Sequence, residues 1–277
     1  MPGLRYILLC AALVLPGTVD ASTLVSVPTS VAPEPPRTPQ GLASCQQPLG
    51  PLTGLVGSPG ERLEYGVALY GLGVGSVEME AARRGRFQGE AVTEYRGQLH
   101  VSGLVSAFVD LEGEAASLVP DTSLVPVQAT LRYRFESKAS AEQQTFTAGG
   151  REVASRLRNE KGTRDKVRAF SSPVQDMLSG FYLLRRLPPV GGGCSVITAD
   201  GKAFTVWIEP EGPERITTAF GPRDTVRYHV RYGGDDEKQV KDARVWVGTD
   251  ERRLPYRIEG LNRYHPIADL RDYRPGV

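Results

Sequence analysis

Val226-Arg227-Tyr228-His229-Val230-Arg231-Tyr232 alternates apolar and polar side chains at every position. That is the period of a strand with one face in a core and the other in water. Gly233-Gly234-Asp235-Asp236 follows as a turn, and Ala243, Val245 and Val247 return with the same period. The pattern extends outward from this hairpin. Leu63, Tyr65, Val67 and Leu69 alternate with Arg62, Glu64, Gly66 and Ala68; Val77 and Met79 alternate with Glu78 and Glu80; Leu131, Tyr133 and Phe135 alternate with Arg132 and Arg134. Phe204 to Glu209, Arg215 to Phe220 and Tyr256 to Glu259 continue it. Short connections between such strands favour antiparallel pairing. The expected fold is mainly β, a curved antiparallel sheet or partly closed β-barrel of about ten strands, because a sheet that wide curls or closes.

One segment departs from the period of two. Ser172-Pro173-Val174-Gln175 offers a capping residue, a proline at the first helical position and a Gln three residues after the cap, which together open a helix. Val174, Met177, Leu178, Phe181 and Leu184 then fall at helical spacing on one apolar face. Pro188 and Pro189 end it. A single covering helix is therefore expected at about 172–184, with Phe181 at the centre of its core-facing stripe. Packing against the sheet is the plainer role for it, and gating of a ligand the sharper one.

The chain opens with Arg5, an apolar run from Tyr6 to Leu15 and small residues around Val19-Asp20-Ala21, the pattern of an export signal over residues 1–21. The run is too short to span a bilayer, and no later run reaches the roughly 18 apolar residues a membrane helix needs. Residues 22–59 carry eight prolines and only two charges, Glu34 and Arg37, so they read as a proline-rich linker that cannot build a core. The remaining residues, 60–277, read as a single β-rich domain. Thirty-three Lys plus Arg against 32 Asp plus Glu leave no overall field that selects nucleic acid or an anionic surface.

Cys10 lies in the expected signal, which leaves Cys45 and Cys194 as an even pair. In an oxidising compartment such a pair reads as a disulfide. The alternative, a nucleophilic Cys194 in Gly191-Gly192-Gly193-Cys194-Ser195, lacks a recognisable partner base. Cys10 as a lipid-bearing cysteine is disfavoured by the short apolar run ahead of it.

Other candidate chemistry is sparse. Gly71-Leu72-Gly73-Val74-Gly75 lacks the following helix that a phosphate loop requires, so it reads as a hairpin or bulge. His100, His229 and His265 are scattered without a second ligand at zinc-site spacing, and no Gly-x-Ser-x-Gly elbow is present. No catalytic, cofactor-binding or metal-binding residue is assigned. Arg132, Arg134, Arg227, Arg231, Arg244 and Arg257 could form a basic patch if their strands adjoin. Glu136, Asp242 and Glu259 nearby favour a solvated face of mixed charge instead.

Taken together, Gly60-Glu61-Arg62-Leu63-Glu64-Tyr65 with glycines at 71, 73 and 75, Asp176-Met177-Leu178-Ser179-Gly180-Phe181-Tyr182-Leu183-Leu184-Arg185, and Trp246-Val247-Gly248-Thr249-Asp250-Glu251-Arg252-Arg253-Leu254-Pro255 resemble a bacterial family of exported proteins, the domain of unknown function 3108. The resemblance covers about Gly60 to Gly260 and implies a β-rich envelope protein with no assigned functional residues. The proline-rich linker and the cysteine pair are not part of it. The leading expectation is a non-catalytic exported protein, periplasmic or extracellular, that binds a lipid or other amphipathic ligand, or an envelope protein, in the concavity of its sheet. An enzyme with a site assembled from distant residues and a purely structural partner of an envelope complex are the alternatives.

Overall fold

The computed structural model describes residues 42, 44–49, 56–102, 110–234 and 240–277. The expected export signal, Cys10, most of the linker and the Asp235-Asp236 half of the expected turn lie outside them. The strands are β1 Glu61–Leu69, β2 Leu72–Phe87, β3 Glu90–Val101, β4 Leu111–Pro120, β5 Gln128–Phe135, β6 Lys138–Thr147, β7 Glu152–Asn159 and β8 Gly162–Ala169. After them come β9 Gln175–Asp176, helix α1 Met177–Leu183, β10 Gly193–Ala199, β11 Lys202–Thr218, β12 Gly221–Gly234, β13 Lys241–Gly248, β14 Pro255–Gly260 and β15 Pro266–Arg274. All fifteen belong to one sheet in the order β8-β7-β6-β5-β4-β3-β2-β1-β15-β14-β13-β12-β11-β10-β9. Every pairing is antiparallel except that of β9 with β10.

The sequence period is realised as register. Tyr228 faces Val245, Val245 faces Ile258, Ile258 faces Ala268 and Ala268 faces Val67, so one apolar row crosses five strands on the inner face. Buried Leu63, Tyr65, Met79, Tyr95 and Leu99 form the adjoining core.

The expected count of about ten strands is too low. The strands missed lie mostly in the first arm of the sheet, where some inward positions are polar: on β6 the buried residues are Ser140, Glu142, Gln144 and Phe146. Conversely, the two expected strands at Phe204–Glu209 and Arg215–Phe220 are one 17-residue strand, β11, bent by a bulge between Pro210 and Gly212. The glycine run around Gly73 is hairpin and bulge: Tyr70 and Gly71 form the β1–β2 turn, with a bulge at Val67/Ala68.

The sheet curves strongly but stays open, since β8 and β9 end the strand order without pairing to each other. Side chains bridge the seam instead. Thr198 Oγ1 donates to Gln144 Oε1 at 3.1 Å, Gly201 N to Glu142 Oε1 at 3.0 Å and Arg168 Nη2 to the Gly201 carbonyl at 3.0 Å.

The helix begins later than its sequence predicts. Ser172-Pro173 is not its start; Asp176 is the N-cap, accepting from Leu178 N and Ser179 N, while Ser179 Oγ accepts from Asp176 N. Gln175, read as a capping-box residue, is used in the β9 pairing with Ile197. The competing signal lost because Asp176 and Ser179 make the same reciprocal cap four residues on, in a position where Ser117 Oγ also donates to Asp176 Oδ2. A 3₁₀ turn at Leu184–Arg186 ends the segment.

Cys45 and Cys194 are joined in a disulfide, their Cα atoms 5.4 Å apart. Around it, Cys194 N donates to the Gln47 carbonyl and Leu49 N to the Cys194 carbonyl, each at 2.8 Å. The bridge therefore holds residues 47–49 against β10 beside the short β9, covering an edge that would otherwise be free to pair.

Candidate functional site: an apolar cavity under the helix

Between α1 and the inner face of the second arm lies a cavity of about 180 Å³. Val206, Ile208, Val230, Val245 and Ile258 form its sheet wall, Tyr65, Val77 and Met79 its floor, and Met177, Phe181 and Leu184 its helical side. Ser195 lines it too, with its hydroxyl engaged by Gln175. The wall therefore offers dispersion and apolar burial with almost no polar anchoring.

The helix has two working faces. Leu178 and Tyr182 are buried in the core, Tyr182 packing on Tyr95 with ring centroids 4.2 Å apart. Met177, Phe181 and Leu184, spaced i, i+4 and i+7, are only half-buried and face the cavity. Phe181 meets Tyr65 edge-on at 5.7 Å. The expectation that Phe181 is the centre of the core-facing stripe is corrected: burial on α1 centres on Leu178 and Tyr182, because the helix is enclosed on most sides and the cavity takes the remaining stripe.

Ile197, Tyr232 and Ile258 each lie two residues before the end of their strand, and Ala268 two residues after the start of its own. All four line the cavity and are half-buried, and antiparallel pairing puts those four strand ends on one rim. Deeper lining residues such as Ile208, Val245 and Val77 are buried. Ala199, Phe204 and Ala243, which line the cavity close to the same strand ends, are buried as well.

A polar cluster adjoins the cavity, sharing Met177 and Ala199 with it. Burial pushes the Glu142 carboxyl up to about 7, against hydrogen bonds from Gln144 and Gly201 N that lower it. Burial likewise raises Asp176, opposed by its bonds from Ser117, Leu178 N and Ser179. Glu142 Oε2 and Gln175 Nε2 are buried without a hydrogen-bond partner. The void beside Glu142 is only about 10 Å³, at the lower limit for one water molecule. Sequence reading missed this cluster. Its one signal is Glu142 and Gln144 standing in phase with Phe146 on β6, which places carboxylate and amide on the inner face.

The arginines single out a mixed-charge exterior. Arg132 pairs with Glu114 at 3.0 Å, Arg134 with Glu112 at 2.8 Å, Arg227 with Glu214 at 2.8 Å, Arg244 with Glu211 at 3.1 Å and Arg257 with Asp269 at 2.6 Å. Arg231 lies 3.7 Å from Glu209. They form no basic patch. The partners are mostly cross-strand neighbours rather than the acids nearest in sequence; Asp242 and Glu259 bond His229 and His265 instead. Among the described residues no group of three His, Cys, Asp or Glu is placed to hold a metal ion. No helix among them is long and apolar enough to cross a membrane.

Residues 62–261 match a family described as a protein of unknown function, DUF3108. Among curated proteins, none matches the chain. A β-barrel-like protein of domain of unknown function DUF1849 from Brucella abortus is similar in structure, with 10% identity and a TM-score of 0.51 over 79% of this chain and 99% of its own. A presumed exported protein with a YmcC-like fold from Bacteroides fragilis is similar at 7% identity and a TM-score of 0.38, covering 80% of this chain and 99% of its own. A presumed lipoprotein from Parabacteroides distasonis is similar at 8% identity and a TM-score of 0.36, covering 82% of this chain and 100% of its own. The first of these supports a barrel-like fold.

Proposed function

The chain belongs to the domain of unknown function 3108 family, and from that premise we propose that it is an exported, non-catalytic envelope protein that holds the apolar part of a small amphipathic ligand in the cavity beneath α1. The observation that carries this reading is the cavity itself: an apolar wall whose rim residues Ile197, Tyr232, Ile258 and Ala268 stay half-exposed. Export rests on the Arg5-to-Ala21 signal pattern, together with a disulfide suited to an oxidising compartment.

Magnitude narrows the ligand. Drug-sized ligands occupy roughly 300–1,000 Å³, whereas a cavity of about 150 Å³ already accepts a guest such as benzene. At about 180 Å³ this one suits a single short acyl segment or one ring, with any polar head left at the mouth.

One observation favours an enzyme: Glu142, whose carboxyl titrates near neutrality, has the profile of an acid–base group. The void it faces is about 10 Å³, too small for a substrate, and Asp176 is committed to capping α1. The binding reading is therefore preferred.

Calorimetric titration with decanoate tests it. Saturable binding is expected, weakened at least about tenfold by Ala268→Phe, which fills the mouth. Equal binding by the two proteins would place the probe elsewhere and overturn the reading.

A further inference from the structure

Tyr70 and Leu72 are 67% and 71% exposed, at the tip of the β1–β2 hairpin. With Leu261 they make up three of the five large apolar side chains exposed among the described residues, and the three sit on two touching turns. Leu69 pairs with Pro266, and the Tyr70 ring meets Tyr264 edge-on at 6.4 Å. The Arg263 guanidinium lies over the Tyr264 ring at 4.6 Å, and among the described residues it has no carboxylate partner. These turns belong to the rim that carries Ile258 and Ala268, where β14 ends and β15 begins.

Local turn chemistry does not call for this tyrosine. Tyr70 and Gly71 both have positive φ, 50° and 78°, as in the tight two-residue turns that favour Asn or Asp at the first position. Gln88-Gly89 and Asp200-Gly201 adopt the same signs of φ with polar residues. Beyond the edge-on contact with Tyr264, the turn does not require an exposed Tyr with an exposed Leu two residues on.

We infer that this rim docks on the surface of an anionic lipid bilayer, with Tyr70 and Leu72 entering the interface and Arg263 meeting headgroup phosphate. Aromatic and aliphatic side chains flanked by a cation are the chemistry of that interface. Three exposed apolar side chains on two touching turns fall short of the roughly 800 Å² per partner of a standard protein interface, which favours a bilayer over a protein. The inference rests on the ligand reading in one respect: docking by this rim turns the cavity mouth toward the acyl chains.

Vesicle co-sedimentation tests docking without any cavity ligand. The disulfide-bonded chain is expected to sediment with phosphatidylethanolamine/phosphatidylglycerol vesicles. Tyr70→Asn with Leu72→Thr, substitutions that suit a tight turn and a strand, should lower the partition about tenfold, and Arg263→Gln about fivefold, an effect lost in phosphatidylcholine vesicles. Both proteins should bind decanoate as before, whereas Ala268→Phe should lose decanoate and keep the vesicles. Unchanged sedimentation of the double variant, or no sedimentation of the native chain, would overturn the inference. So would a native dimer that the double variant dissociates, since the patch would then be a contact between copies.

Discussion

Arg185 Nη1 lies 2.5 Å from Glu61 Oε1, an ion pair closed off from water that ties the end of the helical segment to the first residue of β1. Arg185 Nε also donates to the Arg252 carbonyl, and Tyr273 OH donates to the second Glu61 oxygen. Removing one partner strands the other charge in the interior, so Arg185→Met should cost about 3–5 kcal/mol in urea unfolding. Adding Glu61→Gln to it should restore part of that loss. A double variant as unstable as the sum of the two single ones would show that the residues act independently.

The seam carboxylate makes stability depend on pH. Burial raises Glu142 from an ordinary 4.5 to about 7 in the folded chain. Between those values the folded state holds a proton that the unfolded state has released, so stability falls as pH rises through the window and levels off above it. The span corresponds to about 3 kcal/mol. Asp176, also raised by burial, adds a contribution of the same sign. Glu142→Gln should flatten most of this slope in unfolding series from pH 4.5 to 7.5; an unchanged slope would assign it to other groups.

The two faces of α1 should respond differently to truncation. Leu178→Ala, in the core, is expected to cost about 2–5 kcal/mol. Phe181→Ala, on the half-buried cavity face, should cost about 1–2 kcal/mol and enlarge the cavity, admitting a bulkier probe. Equal losses at both positions would mean that the cavity face packs as tightly as the core.

The Cys45–Cys194 bridge closes a separation of 149 residues. Loop-closure entropy then sets an upper contribution of about 5 kcal/mol. The double Cys→Ser variant should unfold at lower urea by an amount within that bound, and a non-reduced digest of the native chain should yield the linked peptides. Two alkylatable thiols in protein from an oxidising compartment would contradict the pairing.

The second arm of the sheet was legible because Val226 to Tyr232 and its partners bury apolar residues at every second position. The first arm was legible only in β1, β2 and β5. Ser140, Glu142 and Gln144 point inward there, and their burial is balanced by hydrogen bonds to β10 and its turn, contacts separated by more than 50 residues. The same long-range pairing explains the helix start, where Gln175 was drawn into β9 by Ile197 and the cap passed to Asp176. The cysteine pair could be read from compartment alone. The cavity could not, because Met177, Phe181 and Leu184 look like core residues until the sheet shows which face of the helix it fills.

The central claim, that an apolar chain enters the space beneath α1, is tested most directly by methyl NMR of isoleucine-labelled protein titrated with decanoate. Ile197, Ile208 and Ile258 line the cavity, while Ile216 and Ile267 lie outside it. Saturable shifts at the first three, with Ile216 and Ile267 unmoved, are the predicted result. Shifts confined to Ile216 or Ile267, or none at any of the five at decanoate concentrations below micelle formation, would contradict it.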